Sequence, residues 1–382
     1  MAAPKSDRDR TGKKGVALPK GPTRRKSVSE KLPRTKKKIK VPPELALKRY
    51  EHNPIIAPSS ELPWESKATF NPSAIFGDGK VHLIYRAIGN TDVSVFGYAR
   101  SKDGFTIDYK SSHPAYYQKA PVADKKTAIL IPYSSGGGWN GGGEDPRLTL
   151  IDDRVYMLYT SFDGWNSIRI AMTSISFSDF VSERWNWNPH VFISPPGEVH
   201  KNWVLFPEKI NGKYAILHGI SPKIMVEYVA DLEEFDGTKY IRSTTPTGGG
   251  YADSWDSWLR GVGPAPIKTK YGWLVLYHAM DVDDPNRYKI GAMLLDLSDP
   301  TNVLVRSQQP ILEPDEHYEN EGWKSGVVYA CGAVATDDGF LFVYYGGADK
   351  VVCVAVAELE PFLKTLISSG SAKISRKGGR KQ

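Results

Sequence analysis

The sequence predicts an all-β chain, a five-bladed β-propeller preceded by a disordered basic N-terminal arm. Three observations carry that prediction. A turn–strand–aromatic unit recurs five times between about residue 50 and residue 367. Each copy is followed by a second apolar β-run, and no long amphipathic helix separates the copies. Glycine (35) and proline (27) are abundant among the 382 residues, which suits many turns and short strands.

The five copies follow one another in order. Turn 77–80 leads into an apolar run at 81–86, turn 152–154 into 155–160, and turn 211–213 into 214–219. Turn 271–272 leads into 273–278, and turn 337–339 into 340–345. The second runs are 96–99, 168–172, 224–228, 288–293 and 351–355. Residues 360–367 alone read as a short helix. Repeated units with short, protected edges point to a propeller. A β-sandwich is the alternative, but it gives no reason to repeat this unit five times. Aligning the copies by strand places Arg86, Thr160, Gly219, His278 and Tyr345 at one strand end. In a propeller these five are expected to form a polar floor around a central pocket.

The flanks differ from this body. Residues 1–45 hold 15 Lys/Arg against 4 Asp/Glu, and residues 368–382 add 5 basic residues and no acid. Residues 46–367 therefore carry a balance of −9 within a chain whose total is +7. We divide the chain into an arm (1–45), a catalytic body (46–367) and a basic tail (368–382). The arm has almost no aromatics and too little apolar surface to offset the entropy of ordering. Its Lys/Arg clusters could touch nucleic acid, but without interleaved aromatics for base stacking a solvated tail is the simpler reading.

No run of about 18 apolar residues is present, and the N-terminal region lacks the apolar core of a secretory signal. No membrane partner is expected. Cys331 and Cys353 lie in strand-like runs and form no zinc spacing, so reduced, buried thiols in the cytoplasm are expected, with no metal and no cofactor. A homo-oligomer is compatible with the sequence, which does not set the oligomeric state.

Chemistry concentrates at Gly141-Gly142-Gly143-Glu144-Asp145-Pro146-Arg147. Glycines let a ligand lie against the main chain, and an acid beside a guanidinium suits proton transfer. The segment reads as a turn, fixed by the proline, in a loop before the strand at 155–160. A solvated ion pair on a surface turn is the plainer reading of the stretch alone. Trp139, Trp165, Trp203, Trp255 and Trp258 fall in loops or loop edges. Their flat apolar faces could stack on a ligand ring, although each taken singly reads more simply as packing.

Several of these segments resemble glycoside hydrolase family 130, the β-mannoside phosphorylases and β-mannosidases. The resemblance rests on Asn71-Pro72-Ser73-Ala74, on Gly143-Glu144-Asp145-Pro146-Arg147, and on Lys201-Asn202 with 205–209. It rests also on Gly272-Trp273-Leu274 with Tyr277-His278, and on 344–349. It covers about residues 50–367 and implies a five-bladed propeller. It also implies inversion at a β-mannosidic bond of a short manno-oligosaccharide, with inorganic phosphate as co-substrate and α-mannose 1-phosphate as product. On the resemblance Asp145 is the catalytic acid, passing its proton through the sugar's 3-hydroxyl. Asn71, Ser73, Arg86, Glu144, Arg147, Asn202 and Asp349 are then expected at the substrate. Arg169, Lys201, His218 and His278 are expected at phosphate.

One position departs from the family pattern. Where many relatives carry an arginine after the histidine of the third copy, this chain has Gly219 after His218. That keeps an inverting β-mannosidase open as the alternative, with Lys223 as a substitute cation if phosphate is used. If water is used, Glu227 or the Glu233-Glu234 pair would be the base. A non-catalytic carbohydrate-binding propeller is the third reading.

Overall fold

The computed structural model describes residues 45–118, 141–163, 168–243 and 254–370. All of the expected arm except Leu45, and the tail beyond Gly370, lie outside the described residues, as do Trp139 and Trp165.

The described chain is all-β in its sheets, built as five antiparallel units. The first is Ala68–Gly77, Lys80–Ile88 and Ser94–Ser101, edged by Tyr109–Lys110. The second is Gly142–Ile151, Arg154–Phe162 and Ile168–Ser176, edged by Val191–Phe192. The third is shorter: Val204–Leu205, Tyr214–Gly219 and Met225–Val229. The fourth is Trp258–Val262, Gly272–Asp281, Asp284–Leu295 and Val303–Arg306. The fifth is Val328–Ala335, Phe340–Gly347 and Val351–Glu358, and its outer strand is Lys48–Arg49 from the other end of the described chain. The repeated turn–strand runs of the sequence are the second strands of these units, and the runs that follow are the third strands. The short helix is Leu359–Ser369, with Phe362, Leu363 and Leu366 buried against Val305.

Apolar clusters lie between consecutive units rather than in one central mass. Tyr98 and Ile84 of the first unit meet Val155 and Met157 of the second. Leu158 and Ile170 of the second meet Leu205 and Ile216 of the third. Leu217 of the third meets Val275 and Tyr277 of the fourth. Leu276 and Ile290 of the fourth meet Val343 and Ala355 of the fifth. Leu83 and Tyr85 of the first meet Tyr344 and Val354 of the fifth. Alternating residues of each strand therefore serve two different neighbours, as a strand buried on both faces requires.

The first strands carry the feature that matters for function. Register slips between Phe70 and Ser73, between Glu144 and Arg147, between Leu259 and Gly261, and between Ala330 and Gly332. A β-bulge thus interrupts the first strand of four units at a similar place. Bulges re-aim side chains and strengthen the local twist. The Glu144-Asp145 segment is therefore not the loop the sequence suggested but a bulged strand. Gly142 makes its start possible: its φ is 109°, and a Cβ there would lie 2.2 Å from the Ser94 carbonyl oxygen.

Candidate active site

Asp145 sits on the bulge of the second unit with φ 52°, only 3 % exposed. A non-glycine residue in the left-handed region costs roughly 1–3 kcal/mol and needs support from its surroundings. Arg147 supplies it, donating Nη1–H to the Asp145 carbonyl at 2.7 Å. The rest of that guanidinium is spent on the Gly263 carbonyl (3.0 Å) and Asn202 Oδ1 (2.8 Å). Arg147 is 1 % exposed, so it acts as an internal clamp between the second and fourth units. Asn202 is fully engaged too: its Oδ1 also accepts from Tyr329 Oη at 2.7 Å, and its Nδ2 donates to the Arg260 carbonyl.

The Asp145 carboxylate is oriented by the first unit. Asn71 Nδ2 donates to Oδ1 at 2.8 Å, and Arg86 Nη1 to the same oxygen at 3.3 Å. Asn71 is itself left-handed at φ 48°, the Asx residue of the first unit's bulge. Oδ2 of Asp145 makes no hydrogen bond among the described residues, which leaves one carboxylate oxygen for a ligand or a proton. Ser73 is used differently. Its hydroxyl accepts the Leu148 N–H at 2.7 Å and fastens the first strands of units one and two together.

Arg86 joins the acids. It donates Nη2–H to Glu144 Oε1 at 2.8 Å and Nε–H to Ser94, with its guanidinium over the Phe70 ring. Burial opposes its charge, but Glu144, Asp145 and Asp349 outweigh burial and raise its pKa. Lys201 Nζ lies 3.8 Å from Glu144 Oε2, with a quarter of its side chain still open. Burial, then Arg86, Arg260 and Lys324, push the Lys201 ammonium down to about 7. Asp349 lies in the turn after the second strand of the fifth unit, at φ 53°. Burial pushes its carboxyl up to about 6, with Asp145 adding to the effect and Lys324, Arg86 and Lys201 opposing it. Three carboxylates and a set of cations thus converge from four units on one partly open centre.

Beside this centre runs a cleft lined by Lys201, His218, Gly219, Ser221 and Arg260. His218 faces it as a neutral ring, since burial and His200 hold its pKa down to about 4, and its Nδ1 is bonded to Ser243 Oγ. Arg260, at the bulge of the fourth unit, was not anticipated from the sequence, and neither were Lys324 and Tyr329. Arg260 carries no motif. Its only sequence signal is its place between Trp258 and Gly261, in a strand the bulge had disguised.

Some expectations need correction. The aligned strand ends do not form one floor. Arg86 is at the centre, but Tyr345 donates to Glu319 at 2.8 Å, and Thr160 is buried beneath. His278, expected among the cations at phosphate, is a neutral ring here. It is fully buried, stacked on Tyr329 at 3.9 Å, and its Nε2 accepts the Ala330 N–H. Burial, then Arg147, hold its pKa at about 3. Arg169 donates twice to the Ser194 carbonyl and stacks on Phe192, so part of its guanidinium is already committed. Lys223 is exposed. Glu233 and Glu234 form a short capped turn on Asp231, and Glu227 lies mid-strand opposite Ile216, so none of these acids lines the cleft. Trp203 is core, 1 % exposed. Trp255 stacks on Tyr277, and Trp258 lies under Arg260.

Comparison with known proteins agrees with this geometry. Residues 44–367 match glycoside hydrolase family 130, described as β-1,4-mannooligosaccharide phosphorylase. The chain is 39 % identical over 326 residues to a 1,2-β-oligomannan phosphorylase of Thermoanaerobacter sp. (strain X514), covering 83 % of this chain and 98 % of that protein. The solved β-1,2-mannobiose phosphorylase of Listeria innocua superposes with a TM-score of 0.63 at 25 % identity, over 84 % of this chain and 99 % of that one. A family member described among glycoside hydrolases that target β-1,2 mannosidic linkages in Candida mannan superposes with a TM-score of 0.65 at 26 % identity. That match covers 83 % of this chain and 95 % of the other.

Proposed function

The chain belongs to glycoside hydrolase family 130, and on that premise we propose that it phosphorolyses β-mannosidic bonds with inversion. Inorganic phosphate takes a mannosyl unit from a short β-linked manno-oligosaccharide and leaves as α-mannose 1-phosphate. The relative that is 39 % identical acts on β-1,2-linked oligomannan, which makes that linkage the favoured substrate.

The observation that carries this reading is the cleft that Lys201 shares with the acidic centre. An inverting hydrolase needs a second carboxylate to activate water, with the two acids about 6.5–9.5 Å apart. Here the cleft that opens at Lys201, itself 3.8 Å from Glu144, is walled by Lys201 and Arg260, and the candidate bases are placed elsewhere. Cations fit an anionic nucleophile, which brings its own charge and needs no base.

The roles then divide by geometry. Asp145 is the acid, its proton reaching the leaving oxygen through the sugar's 3-hydroxyl. Asn71 and Arg86 orient its carboxylate, while Arg147, Asn202 and Ser73 hold the strands that carry it. Glu144 and Asp349 are placed for sugar hydroxyls. Lys201 faces phosphate, with the neutral His218 ring on the same cleft. No cofactor is required. The five units, each packed on the next and the fifth on the first, support a propeller whose first strands face the axis. The two unpaired, buried cysteines suit the cytoplasm.

The test is to incubate the protein with β-1,2- and β-1,4-mannobiose, with and without phosphate. Phosphate-dependent release of mannose 1-phosphate, faster from the β-1,2 isomer, is expected. Equal release of free mannose without phosphate would make the protein a hydrolase.

A further inference from the structure

Residues 322–324 are seated on the turn that carries Asp349. A Cβ at Gly322 would lie 2.2 Å from the Ala348 carbonyl oxygen, and the Lys324 N–H donates to that same carbonyl at 3.1 Å. Just beyond, the Gly326 and Val327 N–H groups both donate to the Glu319 carbonyl. The Lys324 charge acts on both Asp349 and Lys201. Trp323, between the two anchored residues, is 53 % exposed, and among the described residues it alone of the tryptophans is exposed.

A single exposed ring needs no explanation by itself; its place does. Trp323 Nε1 donates to the Lys67 carbonyl at 3.3 Å, which ties the ring's edge to the first unit. Lys67 lies just before the first strand of that unit, and its N–H donates to the Ile88 carbonyl at 2.9 Å. This is the strand end nearest the acids. Asn71 and Asp145 each lie three residues from the start of their strands and six from the far end. Lys67 precedes Asn71 by four residues, about 13 Å of extended chain. Arg86, Glu144 and Asp145 are all buried. A sugar chain whose end is held among them leaves toward solvent, at the end of the strands where Lys67 and Trp323 lie.

We propose that Trp323 is the stacking platform for the acceptor side of a β-linked oligomannan, taking the second sugar beyond the scissile bond and those after it. A pyranose presents a flat face of C–H groups that an indole can cover, while the indole N–H stays on its own carbonyl. The acceptor sugar next to the scissile bond lies within reach of the acids, and the span from Asn71 to Lys67 puts the ring past it. Trp323 thereby sets a preference for chains longer than a disaccharide. This assignment rests on the β-mannoside reading of the site and not on whether phosphate or water takes the sugar.

The test compares the full chain with its Trp323→Ala and Trp323→Phe variants on β-1,2-linked mannobiose, mannotriose and mannotetraose at saturating phosphate. For wild type the KM should fall from the disaccharide to the longer chains. Trp323→Ala should raise the KM for mannotriose and mannotetraose about 5–30-fold, the loss of one ring's apolar contact, while the mannobiose and phosphate KM values stay within about twofold of wild type. Trp323→Phe keeps a flat face and should fall between. In the synthetic direction the KM for acceptor mannobiose should rise and that for acceptor mannose should not. An unchanged ratio of mannotetraose to mannobiose KM overturns this assignment alone. Equal rises for all three sugars overturn it as well, since they indicate a general disturbance of the site. Cleavage without phosphate overturns phosphorolysis, and the same ratio then decides this assignment. No cleavage of any of these β-mannosides by wild type overturns the functional reading, and this assignment with it.

Discussion

Asn71 of the first unit donates its amide N–H to Oδ1 of Asp145 in the second, at 2.8 Å. The carboxylate we propose as the acid is therefore oriented by a neighbouring unit, and its direction depends on how the two first strands pack. Asn71→Ala removes one of the two donors to that oxygen. A hydrogen bond to a charged group contributes about 1.5–3 kcal/mol, so kcat should fall by roughly 10–100-fold. Steady-state kinetics should show the loss mainly in kcat, and an unchanged kcat would remove Asn71 from the orienting set.

Gly346 guards the same contact from the fifth unit. A Cβ at this position would lie 2.2 Å from Asn71 Oδ1 and 2.8 Å from the Asn71 backbone nitrogen. Gly346→Ala should therefore displace Asn71 and lower kcat as Asn71→Ala does. Overpacking of this kind typically costs about 1–3 kcal/mol, so the melting temperature should fall by several degrees. A variant with wild-type kcat would show that this approach is not tight.

Lys201 predicts a pH dependence. Burial, then Arg86, Arg260 and Lys324, bring its ammonium down from 10.5 to about 7. Above about pH 7 the free enzyme loses the charge we propose to face phosphate, so the phosphate KM should rise there. Lys201→Arg keeps the charge and should move that limb to higher pH, and comparing the two proteins removes the titration of phosphate itself. The sign for stability follows from the lowered value. Neutral Lys201 favours folding at high pH, and that contribution is lost as pH falls from 10.5 to about 7. Relative to Lys201→Met, the wild-type melting temperature should decline across that window. Coincident KM profiles for wild type and Lys201→Arg would refute the assignment.

Glu319 predicts a stability effect away from the site. It is fully buried and binds Arg49 through both carboxylate oxygens at 2.8 Å, Tyr345 at 2.8 Å, and the Asp315 and Glu316 amides. The pair ties the Lys48–Arg49 strand to the fifth unit. Glu319→Ala leaves a half-buried guanidinium and the buried Tyr345 hydroxyl without their acceptor, and breaking a buried ion pair costs about 3–5 kcal/mol. Urea unfolding should show that loss, while the mannobiose KM of the remaining folded enzyme stays unchanged. A loss under about 1 kcal/mol would mean that the strand is held by other contacts.

The second and third strands were legible because they keep an unbroken apolar run behind a Gly- or Asp-bearing turn. The first strands were not. Their bulges break the two-residue alternation at Asn71, Asp145, Arg260 and Cys331, and Pro72 and Pro146 read as turn formers. The Gly-Glu-Asp-Pro-Arg stretch was thus singled out by residue type, but its setting was misread as a loop. Arg260 stayed hidden because a lone arginine between apolar residues has no motif of its own. His278 and Tyr345 were misplaced for a related reason. Strand alignment gives a position along the strand but not which face a neighbouring unit covers.

We assign Asp145 as the acid of an inverting phosphorolysis. Asp145→Asn keeps the side chain's size and its contact with Asn71, so the melting temperature should stay within a few degrees of wild type. ¹H NMR of the wild-type reaction on β-1,2-mannobiose with phosphate should show α-mannose 1-phosphate as the first product, and the Asp145→Asn variant should form none. β-Configured product from wild type, or turnover by Asp145→Asn close to the wild-type rate, would contradict the account.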